Sequence, residues 1–159
     1  MIVGSYASSF YGYPRSTHDA DIFLIWQPEN IDGFVSGLGP DFFADAEDLK
    51  DGLRDKRMSN IIHLATGFKA DLSPLGEGGY WQQVFSRRKE GALIGQKVYF
   101  ASPEDIVLMK LLWAKQGESQ RQVEDAKGIV QVQAEALDRN YLNDWSQKLF
   151  IADLLKKIV

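Results

Sequence analysis

The apolar and polar positions of this chain divide it near residue 100 into a strand-rich part and a helical part. Ile2-Val3 reads as the tail of a first strand ending at Gly4-Ser5. Tyr6 to Phe10 follows as a short helix, and Tyr11-Gly12-Tyr13-Pro14 as a turn. Asp21 to Trp26 is an apolar run that predicts a second strand. Pro28 to Gly37 fits a short helix closed by glycine, Asp41 to Ala44 a short strand, and Ala46 to about Arg54 a charged helix. Asn60 to Ala65 and Phe68 to Leu72 flank Thr66-Gly67 and predict a hairpin. In its second arm Phe68, Ala70 and Leu72 share one face, and Lys69, Asp71 and Ser73 the other. Gly76 to Gly79 reads as a loop, then a helix through Trp81 and Phe85, and Gln96 to Phe100 as a short strand.

Beyond residue 100 the period becomes helical. Ser102 is placed to cap a helix, Pro103 to start it, and Asp105 to complete a capping box. That helix runs to Gln116, carries Ile106, Met109, Leu112 and Trp113 as its core stripe, and stops at Gly117. Ser119 caps a further helix to about Leu137. Asp138 opens another, with Tyr141, Leu142, Trp145 and Leu149 at helical spacing, and a short last helix follows. A mixed sheet followed by a helical cap is an α+β arrangement. The expected organisation is one domain over residues 1–159, with a sheet-containing core at 1–100 and a helical cap at 101–159.

Composition narrows the function classes. With 45% apolar residues the chain is an ordinary globular sequence, and with no cysteine it has no disulfides, thiolate metal sites or cysteine nucleophiles. No apolar run approaches membrane-spanning length and no signal-peptide pattern appears, so the expected location is the cytoplasm, with no membrane partner. A net charge of −4 does not mark the surface as a whole as a nucleic-acid binder.

The chemistry concentrates near the start of the chain. Asp19 and Asp21 are two apart at the head of a strand and therefore point the same way. Side-by-side carboxylates repel unless a proton or a cation relieves them, and hard divalent cations take oxygen ligands. Asp71 is a third carboxylate on the polar face of a strand. If the hairpin arm lies beside the Asp19–Asp21 strand, all three converge. Three such carboxylates suit two Mg²⁺ roughly 3.5–4 Å apart, the arrangement of in-line phosphoryl and nucleotidyl displacement. Gly4-Ser5 upstream could cradle a phosphate. Taken singly, Gly4-Ser5 is also simply a tight turn, and Asp-x-Asp is a way to end a sheet in water.

The order Val3-Gly4-Ser5, then Gly12 to Ile22 with Arg15, Thr17, Asp19 and Asp21, then Lys69-Ala70-Asp71-Leu72, resembles the nucleotidyltransferase superfamily of polymerase-beta-like fold. The closer resemblance is to its minimal and abortive-infection-toxin-like members. The Ser102 to Leu111 segment and the Arg121/Asp125 pair look like theirs, and the C-terminal helical part is of a type known from domains of unknown function. The resemblance implies a metal-dependent transfer of NMP from a nucleoside triphosphate to an unidentified acceptor: an RNA end, a protein hydroxyl or a small molecule. It implies Asp19, Asp21 and Asp71 as catalytic metal ligands for two Mg²⁺, with Mn²⁺ as a substitute. It implies Gly4, Ser5, Arg15, Thr17, Lys110 and Lys115 as substrate-binding residues. A toxin–antitoxin setting, with a second copy or an antitoxin as partner, belongs to the same expectation. Family members usually set a helix ahead of the Gly-Ser strand. Gly4 has three residues before it, so the first strand is expected to be poorly supported.

Several residues carry a second reading. Lys110 is either a phosphate ligand pointing along a groove or a snorkelling lysine at a core edge. Asp125 reads as an exposed helix acid paired with a neighbour. Trp81, Trp113 and Trp145 read as core. The alternative for the whole chain is a catalytically inactive nucleotide-binding or partner-binding module of the same fold.

Overall fold

The computed structural model describes residues 1–159. Its sheet-rich part comprises helix α1 (Gly4–Tyr11), strand β1 (Asp19–Leu24), α2 (Ile31–Gly37), β2 (Phe42–Phe43), α3 (Ala46–Asp55), β3 (Ser59–His63) and β4 (Lys69–Pro74). Then come α4 (Gly79–Ser86) and a hairpin of β5 (Lys89–Leu93) and β6 (Gln96–Phe100). The rest is helical: α5 (Pro103–Gly117), α6 (Gln120–Gln133), α7 (Arg139–Lys148) and α8 (Ala152–Leu155). No helix is long and apolar enough to cross a membrane.

The α+β expectation holds, and the sheet is mixed. Its order is β1-β4-β3-β2, with β1 and β4 parallel and the other neighbours antiparallel. The Thr66-Gly67 hairpin forms as the alternation predicts, and Gly67 takes the left-handed backbone (φ +67°) that its turn requires. Strand alternation then sorts the side chains. Ile22, Leu24, Ala70, Leu72 and Ile61 face α2 and α3, forming a small core with Ile31 and Leu49. The opposite face, which carries Asp19, Asp21 and Asp71, looks toward α1 and the helical part. There the larger core runs from Val3 and Ala7 through Phe100, Ile106 and Met109 to Ile158. Each large apolar side chain buried there contributes about 1.5–3 kcal/mol.

Some expectations shift. Ile2-Val3 forms no strand of its own, only isolated bridges to Ile22 and Phe100, and α1 starts at Gly4 rather than Tyr6. The segment is nevertheless well supported. Val3 N–H donates to Asp21 O (2.9 Å), Ile2 N–H to Tyr99 O (2.7 Å), and Ala101 N–H to Ile2 O (3.0 Å). It therefore lies as a seam between β1 and β6. Strand β1 begins at Asp19, two residues early, because the ladder with β4 extends to Lys69. The helix expected over Pro28 to Gly37 is a 3₁₀ turn followed by α2. Strand β5 was not anticipated: it is defined by pairing with β6, and Gly91 leaves room for the Phe100 ring, on which Phe10 stacks at 4.3 Å.

At residue 102 the cap forms as expected, but the capping box does not close, because the Asp105 carboxylate takes its bond from the Ser102 hydroxyl and not from the Ser102 N–H. Ser102 Oγ accepts from Asp105 N–H (3.2 Å) and donates to Asp105 Oδ2 (2.7 Å). Asp138 likewise caps α7 through Tyr141 N–H (2.9 Å). Ser119 makes no side-chain cap, and α6 ends at Gln133 rather than Leu137, where Ala134 turns the chain at φ +41°.

Candidate functional site

The β1–β4 register brings the aspartates together. Asp21 pairs with Asp71 and Asp19 with Lys69, so all four side chains stand on one face of adjacent strands. Above Asp21 lies the start of α1. Gly4 has φ +61°, and a Cβ there would sit 1.8 Å from Asp21 Oδ2. Only glycine lets the helix start approach this closely. Val3 offers no side-chain cap for α1, and the Ser5 amide lies near enough to the Asp21 carboxylate to favour its ionised form. The Gly-Ser turn and the central aspartate thus form one unit.

Electrostatics separate the three acids. Burial, then the charges of Asp19 and Asp71, push the Asp21 carboxyl above its ordinary value, against Lys110 and the Ser5 amide. The Thr17 hydroxyl, 2.6 Å from Asp19 Oδ1, holds the Asp19 carboxyl below the usual value, with help from Lys69 and Arg121. Asp71 is buried, and its Oδ1 has no hydrogen-bond partner. No ion pair closes on any of the three. Acceptor oxygens on one face, one of them buried and unpartnered, suit a hard divalent cation in donor chemistry. As they stand, the carboxylates are not drawn to one point at metal-holding distance.

A second cluster backs the first. Arg15 Nη2 donates to Ser5 Oγ, and the same guanidinium forks onto Asp125 through Nε (3.0 Å) and Nη2 (2.9 Å). Lys110 Nζ donates to Asp125 Oδ2 at 2.8 Å. The path Ser5–Arg15–Asp125–Lys110 therefore joins the Gly-Ser turn, the following loop, α6 and α5. The loop also packs at Gly128, where a Cβ would sit 3.1 Å from the Tyr13 ring. Asp125 carries opposing effects: burial raises its carboxyl, but hydrogen bonds from Arg15 and Lys110 bring it below the ordinary value. For Lys110 burial wins, and its ammonium titrates below the ordinary lysine value despite Asp125.

These contacts revise three sequence readings. Lys110 does not point along an open groove; its side chain is 1% exposed and held by Asp125. Asp125 is paired, as expected, but is not an exposed acid; its side chain is 10% exposed. Lys115 stands apart, with Nζ on Phe150 O at 2.9 Å, beside a cavity of about 410 Å³ that also includes Ser119, Gln120 and Asp153. None of the three aspartates lines that cavity. The sequence shows Asp125 as a paired helix acid following Arg121, but it does not reveal the partner Arg15, which lies 110 residues away.

Over 98% of its length the chain is similar to the crystal structure of an antigenic nucleotidyltransferase-like protein from Paracoccidioides brasiliensis, covering 83% of that chain with a TM-score of 0.51. This chain has a nucleotidyltransferase-like fold. Sequence identity across the match is 18%, so the likeness is one of architecture. No protein-family model matches the chain, and no curated protein does. In this nucleotidyltransferase-like fold the sequence-predicted residues Gly4, Ser5, Arg15, Thr17, Asp19, Asp21, Asp71 and Lys110 gather around the start of β1. Lys115 does not join them.

Proposed function

We propose that this chain is a metal-dependent nucleotidyltransferase that moves an NMP group from a nucleoside triphosphate to an acceptor and releases pyrophosphate. The observation carrying the reading is the Asp21–Asp71 pair across the parallel ladder, capped by the Gly4-Ser5 turn. Asp19, Asp21 and Asp71 would hold two Mg²⁺, or Mn²⁺ in their place. When bound, such ions neutralise the triphosphate and acidify the attacking hydroxyl. The remaining work falls to the chain. The Ser5 hydroxyl and the amides at the start of α1 orient the outer phosphates. Arg15 fixes the Ser5 hydroxyl, and Asp125 fixes Arg15 through two bonds. Thr17 keeps Asp19 ionised by donating to Oδ1. Lys110 contributes its charge from beneath, through Asp125 and the field at Asp21.

Acceptors consistent with this reading are an RNA 3′ end, a protein hydroxyl or a small molecule; a second copy or an antitoxin would be the protein partner. A module that binds nucleotide without turnover is the alternative, favoured by carboxylates that stand adjacent without closing on one point. The experiment is transfer of label from each NTP, radiolabelled at the α-phosphate, into cellular RNA, total protein and the chain itself, with Mg²⁺ or Mn²⁺. Label that disappears in the Asp19→Ala, Asp21→Ala double variant is the expected result. Nucleotide binding with no label anywhere would establish the inactive module.

A further inference from the structure

The hairpin of β5 and β6 holds a basic cluster that the aspartate face does not use. Between Arg87 and Phe100 the chain carries four cations and one acid, against a net charge of −4 for the whole chain. The acid, Glu90, bonds Lys97 at 2.6 Å, and Arg87 pairs with Glu104 at 2.9 Å. Arg88 lies against the Phe85 and Tyr99 rings, 4.2 and 5.1 Å from their centroids. Lys89 is exposed and forms no ion pair. Its register partner is Phe100, so both side chains stand on the same face of the hairpin.

On that face Phe10, from α1, stacks on the buried Phe100 ring, with centroids 4.3 Å apart and planes within 8°. Tyr11 meets Phe10 edge-on at 5.0 Å, and Phe10 remains 50% exposed. Gly91 gives the two rings room, since a Cβ there would sit 2.9 Å from Phe100 and 3.5 Å from Phe10. A single exposed phenylalanine is ordinary. A ring held flat on a buried ring, beside a free ammonium, is a platform for a further planar ring that carries negative charge. Nucleobases linked by phosphates have both properties. Acidic side chains and lipid headgroups supply charge without a planar ring.

We propose that Phe10 and Lys89 form a docking site for single-stranded nucleic acid, with a base stacked on Phe10 and the strand's phosphate meeting Lys89. The proposal rests on the nucleotidyltransferase reading for the role of that strand, which is the acceptor. Phe10 lies six residues beyond Gly4 on α1, about 9 Å along the helix, or roughly three stacked nucleotides. A strand held there is within reach of the aspartate face.

The test is equilibrium binding of short oligo(A) RNA and oligo(dA) DNA, without nucleotide, to wild type, Phe10→Leu, Phe10→Tyr and Lys89→Ala. Phe10→Leu keeps an apolar contact with Phe100 and removes the ring, and thermal unfolding of each variant checks that the fold is intact. Strand affinity is expected to fall about fivefold or more in Phe10→Leu, the loss of one stacked base, and to return in Phe10→Tyr. Lys89→Ala should lower the log-log salt slope by about 0.7, one phosphate contact. A non-hydrolysable ATP analogue with Mg²⁺ should bind every variant as it binds wild type. Preference for RNA supports an RNA acceptor, and equal binding of DNA supports a site that reads base and phosphate alone. Wild type that binds neither strand overturns the docking site and leaves the nucleotidyltransferase reading in place. Phe10→Leu that binds as well as wild type shows attraction by charge alone and overturns it too. If wild type binds the strands but not the analogue, the docking site stands and the acceptor role falls with the nucleotidyltransferase reading.

Discussion

Asp21 and Asp71 stand opposite each other across a parallel ladder, on one face, with no basic side chain bonded to either. Such a pair is repulsive, and burial adds to the repulsion at Asp21. Asp71→Asn is therefore expected to raise the melting temperature in chelator by about 2–4 °C, corresponding to about 1 kcal/mol, while abolishing label transfer. A variant that melts lower than wild type would show that Asp71 stabilises the fold.

The same pair gives wild type a pH dependence. The folded-state pKa of Asp21 is raised, so the folded chain binds its proton more tightly than the unfolded chain. This contribution is greatest on the acid side and is lost as pH rises from 3.8 through the raised value. Thermal unfolding in chelator should show that loss, and Asp21→Asn should flatten it.

Gly4→Ala tests the close approach of turn and aspartate. Its Cβ would displace the Asp21 carboxylate, and the left-handed backbone alone disfavours alanine by about 1–2 kcal/mol. The expected outcome is a melting temperature lower by roughly 3–8 °C together with loss of ATP-analogue binding. Unchanged binding would remove Gly4 from the site.

Asp125→Asn leaves the Lys110 ammonium buried without its counter-charge. Breaking such a pair costs about 3–5 kcal/mol at neutral pH. Lys110 already titrates low through burial, and without Asp125 it would titrate lower still. The folded chain then binds fewer protons than the unfolded one, so the stability of the variant should rise with pH up to the ordinary lysine value of 10.5. Urea unfolding at several alkaline pH values checks the sign.

Tyr141→Phe separates support from chemistry. Tyr141 Oη donates to the fully buried Asp105 at 2.7 Å, and its ring lies under the Arg87 guanidinium. Losing a hydrogen bond to a buried carboxylate costs about 1.5–3 kcal/mol. The melting temperature should fall while ATP-analogue affinity stays unchanged.

The strongest local signals in the sequence carried the fold. Thr66-Gly67 between two alternating arms fixes β3 and β4, and Ser102-Pro103 fixes the start of α5, because each depends on neighbours in sequence. Strand β5 was not readable: Lys89-Glu90-Gly91-Ala92-Leu93 has no β-branched residue, and its pairing partner decides its shape. The aspartate face was legible from alternation alone, whereas the company it keeps was not. That Lys110 turns inward to Asp125, and that Arg15 reaches the same carboxylate, follow from how α5, α6 and the loop after α1 pack together. No sequence spacing encodes that packing.

The seam at Ile2 and Val3 has a mechanical consequence. These residues are bonded to β6 on one side and β1 on the other, and they lead directly into Gly4. Whatever grips the β5–β6 hairpin, whose tip exposes Ile94 completely, therefore pulls on a line that ends above Asp21. The hairpin is a lever, and the Gly-Ser turn is the point at which it would be felt.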